Sequence, residues 1–300
     1  MRGEGMESYI LSCESTVDLS PEHLERRGIS CISYPFELDG KPYRDDLGRT
    51  VPYDKFYAAM AAGAETRTAQ INAFEFEEYF ERFFREGRDV LHLCLSSGLT
   101  GVLESARLAQ ANLKERYPER RLYLVDSLAA CGGIGLLADK LADLRDSGMG
   151  IEELYRWAEE NKLRVHHWFF STDLTFYIKG GRVSKTAGTV GTLLGICPLL
   201  NVSNDGHLIP REKIRSKKKV IGAIVDKMEQ YADGGLDYSE KCFLNHSACY
   251  DDARQVADLV EERFPKLREK VELNSIGTTI GSHTGPGTVA LFFWGSPRKD

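Results

Sequence analysis

Ser96-Ser97-Gly98-Leu99-Thr100-Gly101 joins an apolar run, Val90 to Leu95, to an amphipathic one, Val102 to Leu113. A hydroxyl-rich turn between a strand and a helix start is suited to holding an anion. The first amides of a helix lack intrahelical partners and carry partial positive charge. Serine and threonine hydroxyls add donors of adjustable direction, and Gly98 and Gly101 allow close backbone approach. The same residues also fit an ordinary capped helix start. The lysine of a P-loop and the glycine spacing of a dinucleotide fingerprint are both missing.

His283 lies in a sharp turn, Gly281-Ser282-His283-Thr284-Gly285-Pro286-Gly287, ahead of a strand-like run. Combined with Ser97 as nucleophile it would make a hydrolase. Against that, Gly-x-Ser-x-Gly is absent and no acidic residue is placed to orient the ring. An enzyme acting on a phosphometabolite through the same loops is another reading. Other hydroxyl-bearing loops are Ser12 to Thr16, Thr66 to Gln70 and Asp126 to Gly133. In an open α/β sheet, loops at strand carboxyl ends form the ligand crevice. Gly180-Gly181-Arg182 displays a guanidinium on a flexible turn. Arg215 and Lys217-Lys218-Lys219 form a basic cluster at a helix start, where cations oppose the dipole. That placement fits a polyanionic partner or a solvated face. No metal is expected, because the histidines and cysteines show no ligand spacing. His166 and His167 would point to opposite faces of a strand.

The elements that must position these residues follow from periodicity. In the first half, strands are predicted at Tyr9–Ser12, Ile29–Leu38, 90–95 and 121–125. Helices are predicted at Pro21–Arg27, Pro52–Ala62, Ala73–Arg85, 102–116 and 130–146. This alternation predicts a parallel sheet with covering helices. The aromatic residues between 74 and 84 predict a helix packed on more than one side. Asp146 to Gly150 is the expected linker between an N-terminal α/β domain, 1–150, and a C-terminal mixed-sheet α+β domain, 151–300. The second half predicts strands at Val165–Ser171, Cys197–Val202, His207–Pro210, Cys242–His246, Val271–Ile276 and Val289–Trp294. Helices are expected at 151–161, 217–232 and 251–264, and Asn204-Asp205-Gly206 reads as a hairpin turn.

Bulk composition narrows the function classes. The chain has 300 residues, 42% hydrophobic and 28% charged, which is the balance of a folded globular protein. A formal charge of −6 argues against general nucleic-acid binding. No run approaches a membrane span. Residues 1–7 are polar, so no signal peptide is expected and a cytoplasmic location follows. The seven cysteines include no Cys-x-x-Cys pair, and most read as core thiols.

Taken in order along the chain, these motifs resemble the DegV family of bacterial fatty-acid-binding proteins that serve fatty acid kinase. Ser15-Thr16-x-Asp18-Leu19 is similar to the family's first loop, and Thr68-Ala69-Gln70 to its Thr-Ser-Gln element. Ser96 to Gly101 resembles its Ser-Ser-x-Leu-Ser-Gly turn, and Asp126-Ser127 its next strand end. Asp173-Leu174 through Gly180-Gly181-Arg182 resembles its Asp-Leu…Gly-Gly-Arg signature, and His283 to Gly287 its His-x-Gly-Pro-Gly turn. Cys13, where the family often has aspartate, and Ala69, in place of serine, depart from the pattern.

The resemblance implies a two-domain α/β carrier, not an enzyme, holding one long-chain fatty acid in a buried tunnel between its domains. It implies no cofactor. Carboxylate contacts would fall on Thr68, Ser96, Ser97 and His283. Arg182 and Arg215 would face the partner or its phosphoryl group. That partner would be a separate, dihydroxyacetone-kinase-like fatty acid kinase that forms the acyl phosphate. Membrane contact would be only transient.

Overall fold

The computed structural model describes residues 9–184 and 195–299; the polar residues 1–7 lie outside them. Along the first half run β1 (Ile10–Glu14), α1 (Pro21–Arg26), β2 (Ile29–Ile32), β3 (Pro35–Leu38) and β4 (Lys41–Arg44). They are followed by α2 (Tyr53–Ala61), β5 (Thr66–Thr68), α3 (Ala73–Arg85), β6 (Val90–Cys94), α4 (Val102–Arg116), β7 (Leu122–Asp126), α5 (Gly132–Asp146) and α6 (Ile151–Asn161). The second half contains β8 (Val165–Ser171), α7 (Thr175–Lys179), β9 (Ile196–Val202), β10 (Leu208–Arg215) and α8 (Lys217–Tyr231). It ends with β11 (Phe243–His246), α9 (Tyr250–Arg263), β12 (Glu272–Ser275), α10 (Thr278–Thr284) and β13 (Thr288–Trp294).

The apolar runs of the first half form a parallel sheet, ordered β2-β1-β6-β7. Those of the second half form a mixed sheet, ordered β10-β9-β8-β13-β11-β12. The fold is therefore α/β, with a parallel and a mixed sheet. Helix α5 joins them. Gly132 through Asp139, Leu141 and Ala142 are all buried, because α5 lies against β1 on one side and against β8, β11 and β13 on the other. An apolar helix covered all round belongs inside a protein, and here one continuous core runs through both sheets.

Four details differ from the periodicity reading. The predicted strand Ile29–Leu38 is broken: Tyr34 turns inward and gives its N–H to Ser15 Oγ at 3.1 Å. Beyond that break, β3 pairs with β4 and β5 in a small antiparallel sheet. Phe36, Phe56, Tyr57 and Met60 form a separate core beneath it. Strand β10 continues past Pro210 to Arg215, with an irregularity between Pro210 and Glu212. It is an edge strand, where a missing N–H is tolerated. Helix α3 buries a single stripe, Phe76, Tyr79, Phe80, Phe83 and Phe84, at helical spacing, and leaves Phe74 exposed. It is thus not packed on several sides. Finally, the glycine- and threonine-rich residues before His283 form helix α10, not just a turn.

Candidate ligand cavity

A cavity of about 350 Å³ lies between the carboxyl ends of the parallel strands and one face of the mixed sheet. That volume falls within the usual range for small-molecule sites, roughly 300–1,000 Å³. Its extent along the mixed sheet follows from strand register. On β13, Thr288, Ala290 and Phe292 share a face and line the cavity; on β8, Phe169 and His167 do the same. Ser171 stands opposite Thr288 and His167 opposite Phe292. The wall therefore spans four residue steps of strand, Thr288 to Phe292, about 13 Å at roughly 3.3 Å each. Val202, on the neighbouring β9, and Leu208 line the Phe292 end. His166, on the other face of β8, stacks on Tyr231 and Phe293.

The Thr288 end is polar. Thr68 Oγ1 is 2.8 Å from His283 Nε2. Thr68 comes from β5 and His283 from the last turn of α10. Burial, reinforced by the Arg182 cation, holds the His283 pKa down to about 4, so the ring is neutral near pH 7. Its Nδ1 is buried without a hydrogen-bond partner. Gly180 makes that position possible, since a Cβ there would come within 2.5 Å of Nδ1. The Tyr177 and Thr288 hydroxyls bond at 2.9 Å. The Tyr34 phenol donates to Glu14 Oε2 at 3.1 Å.

Arg182 belongs to this wall. It lines the cavity and donates to the Gly180 carbonyl at 2.5 Å and to the Leu99 carbonyl at 3.3 Å. Burial lowers its pKa, but a guanidinium stays charged at any ordinary pH. Arg182, expected to face the partner or its phosphoryl group, thus lines the cavity itself. Arg215 is exposed at the end of the edge strand β10 and does not line the cavity.

Two serines expected at the carboxylate lie elsewhere. Ser96 is buried, and its hydroxyl donates to the Gly206 carbonyl at 2.9 Å and accepts from Gly98 N at 3.1 Å. Ser97 is exposed and absent from the cavity lining. The amides of Ser97, Leu99 and Thr100 are also taken: Ser97 N donates to Asp126 Oδ1, and Leu99 and Thr100 N to the Ser96 carbonyl. A Cβ on Gly98 would come within 2.5 Å of the Asp205 carbonyl. Ser96 to Gly98 is thus a joint against the β9–β10 hairpin, and of this motif only Leu99, Thr100 and Gly101 line the cavity. Ser97 and His283 are not brought together as a hydrolase pair; the hydroxyl beside His283 is that of Thr68.

The tertiary structure also gathers Glu14, His92 and Cys94 beneath α3, with ligand-capable atoms within 4.8 Å of one another. No linear motif announces this group. Burial, and then the Glu14 charge, push the Cys94 thiol well up. Glu14 Oε2 further accepts from Leu95 N at 2.9 Å. Glu14 Oε1 and His92 Nε2, 3.7 Å apart, are buried without a hydrogen-bond partner.

The chain matches the family model described as "Uncharacterised protein, DegV family" over residues 11–295. It is 33% identical over 294 residues to the DegV domain-containing protein CPE0026 of Clostridium perfringens, covering 98% of this chain and 100% of that one. A solved DegV family protein of Thermus thermophilus, described for its fatty acid binding, superposes with a TM-score of 0.85 at 25% identity, covering 96% of this chain and 99% of that one. The Streptococcus pneumoniae Fatty Acid Kinase (Fak) B3 protein, solved loaded with linoleic acid, shares the fold with a TM-score of 0.82 at 21% identity, covering 96% and 99%. With a family match across nearly the whole sequence and the same two-sheet architecture in solved relatives, this chain belongs to the DegV family.

Proposed function

We propose that this protein binds one long-chain fatty acid in the cavity between its sheets and presents the carboxyl group to a separate fatty acid kinase. The observation that carries the reading is a mainly apolar cavity whose polar end holds the Thr68–His283 pair. Burying about a dozen methylenes releases roughly 10 kcal/mol gross, at about 0.8 kcal/mol each. Lost ligand freedom and side-chain ordering offset a large part of it.

The head group needs donors, because an unpaired buried carboxylate costs several kcal/mol or becomes protonated. The Thr68 hydroxyl can donate to it while accepting from His283 Nε2–H. Arg182, anchored by two carbonyls, adds positive potential without closing a bidentate clamp. A carboxylate held this way stays available to react with a phosphoryl donor. The chain itself acts as carrier and scaffold, and the kinase supplies the nucleotide and the phosphoryl transfer. The Thermus relative's fatty acid binding and the Streptococcus relative's naming as part of a fatty acid kinase both support the reading.

Mass spectrometry of lipid extracted from the purified protein tests it. A stoichiometric fatty acid is expected, and ATP-dependent acyl phosphate should form once a fatty acid kinase is added. A phosphometabolite in the extract, or no affinity for added fatty acid, would refute it.

A further inference from the structure

His283 depends on a helix that has no cap of its own. α10 begins after Gly277, which has no side chain to cap it. Its first amides are instead bound by two carboxylates more than 200 residues earlier. Gly277 N donates to Asp18 Oδ1 at 2.9 Å. Thr279 N and Thr279 Oγ1 donate to Asp45 Oδ2 at 3.0 and 2.6 Å. Both carboxylates are 1% exposed. A Cβ at position 277 would come within 2.5 Å of Asp18 Oδ1, so glycine is required for the contact. Tyr57 holds the preceding Ile276 carbonyl at 2.8 Å, and Asn245 holds the Asp18 carbonyl at 2.7 Å.

Placing two acids this deep is costly unless each is bonded, and burial pushes both of their pKa values up. The return is geometric. Asp45 directly follows β4, and its N–H bonds the Tyr34 carbonyl at 2.8 Å, so it moves with the small sheet that also carries Thr68 on β5. The sheet thus grips α10 at two points, Asp45 at Thr279 and Thr68 at His283. The two grip points are one helical turn apart, about 6 Å at 1.5 Å per residue. So short a helix passes the position of its first turn directly to its last.

We infer that Asp45, assisted by Asp18, is a positioning residue for His283: it caps α10 from outside and sets the ring against the Thr68 hydroxyl. This rests on the proposed fatty-acid reading for its consequence but not for its geometry, and the test separates the two.

Binding of hexadecanoic acid and hexadecanol is measured in the full-length protein and in Asp45→Ala, Asp45→Asn and Asp18→Asn. In Asp45→Ala, acid affinity should fall about tenfold while alcohol affinity stays within twofold. Asp45→Asn, which keeps an acceptor oxygen, should recover most of the loss, and Asp18→Asn should show a smaller acid-selective loss. Equal loss for acid and alcohol, or no loss, overturns the inference. Independently, the His283 imidazole is titrated by NMR without ligand. Its midpoint should rise from about 4 toward the free-histidine value of 6.5 in Asp45→Ala; an unchanged midpoint overturns the inference. If the wild type binds neither lipid, the fatty-acid reading fails and the NMR result alone decides. If Asp45→Ala does not fold, Thr279→Val removes the hydroxyl bond to Asp45; because Thr279 also lines the cavity, the His283 midpoint is read in place of affinity, a rise above about 4 is expected, and no change overturns the inference.

Discussion

Thr68 and His283 are 215 residues apart in the chain, yet the threonine hydroxyl sits 2.8 Å from the histidine Nε2. One comes from a three-residue edge strand of the small sheet and the other from the end of a seven-residue helix. Neither partner is charged at neutral pH, since burial keeps the imidazole unprotonated. The pair therefore offers a directional donor to an anion without a permanent counter-charge.

Thr68→Val and His283→Ala should each weaken fatty-acid binding roughly ten- to hundredfold, the range of a lost hydrogen bond to a charged group at about 1.5–3 kcal/mol. Titration calorimetry checks this, and the corresponding alcohol should lose far less. Unchanged affinity in both variants would remove the head group from this end of the cavity.

The two adjacent serines should separate cleanly. Ser97→Ala should leave affinity within twofold, because the side chain is exposed and outside the lining. Ser96→Ala should cost about 1–2 kcal/mol of stability by leaving the buried Gly206 carbonyl without its donor. Gly98→Ala should cost more, because the added methyl meets the Asp205 carbonyl. Urea melts with parallel binding curves resolve the three. A large binding defect in Ser97→Ala alone would contradict the geometry.

The arginines should also differ. Arg182→Ala should lower fatty-acid affinity several-fold, since the side chain lines the cavity. Arg215→Ala should spare lipid binding and slow kinase-dependent phosphorylation. Equal effects of both on lipid binding would show that Arg215 reaches the ligand.

A buried ion cluster makes stability pH-dependent. His23 on α1 lies 3.0 Å from Asp139 on α5 and 2.9 Å from Glu272 on β12. Burial alone would lower the His23 pKa, but bonds to Asp139 and Glu272 raise it from 6.5 to about 9. Its contribution is complete below the unfolded value and disappears as pH rises through 9. Asp139 shows the opposite sign. Burial would raise its pKa, but His23 and Lys241 bring it from 3.8 to about 2. Its contribution is present above the unfolded value and lost as pH falls through 2. The cluster should stabilise most between about pH 4 and 6.5. His23→Ala should cost about 2 kcal/mol there, by removing one charged partner of Asp139 and of Glu272 while Lys241 and Arg27 still pair Asp139, and clearly less near pH 10. Chemical denaturation across pH reads this out, and a pH-independent cost would contradict it.

Much of the architecture is legible in the sequence. The alternation of apolar runs and amphipathic helices specifies the parallel sheet of the first half. The strand runs from Val165 to Trp294 specify the mixed sheet of the second, because burial imposes a period that each segment must obey locally. The motifs at Thr68, at Ser96 to Gly101, at Gly180 to Arg182 and at His283 locate the loops around the cavity, and they carry the family resemblance. Tertiary structure alone decides which side chain of each motif faces the ligand space. Ser96 looks like a ligand donor but bonds a distant hairpin, Ser97 faces solvent, and Arg182 turns inward. Helix α10 stays hidden because its glycines and threonines are poor helix formers, and its caps, Asp18 and Asp45, come from the far end of the chain. Local periodicity reports what a segment does with its own neighbours. The direction of a side chain at a junction is set by contacts between segments that sequence order keeps far apart.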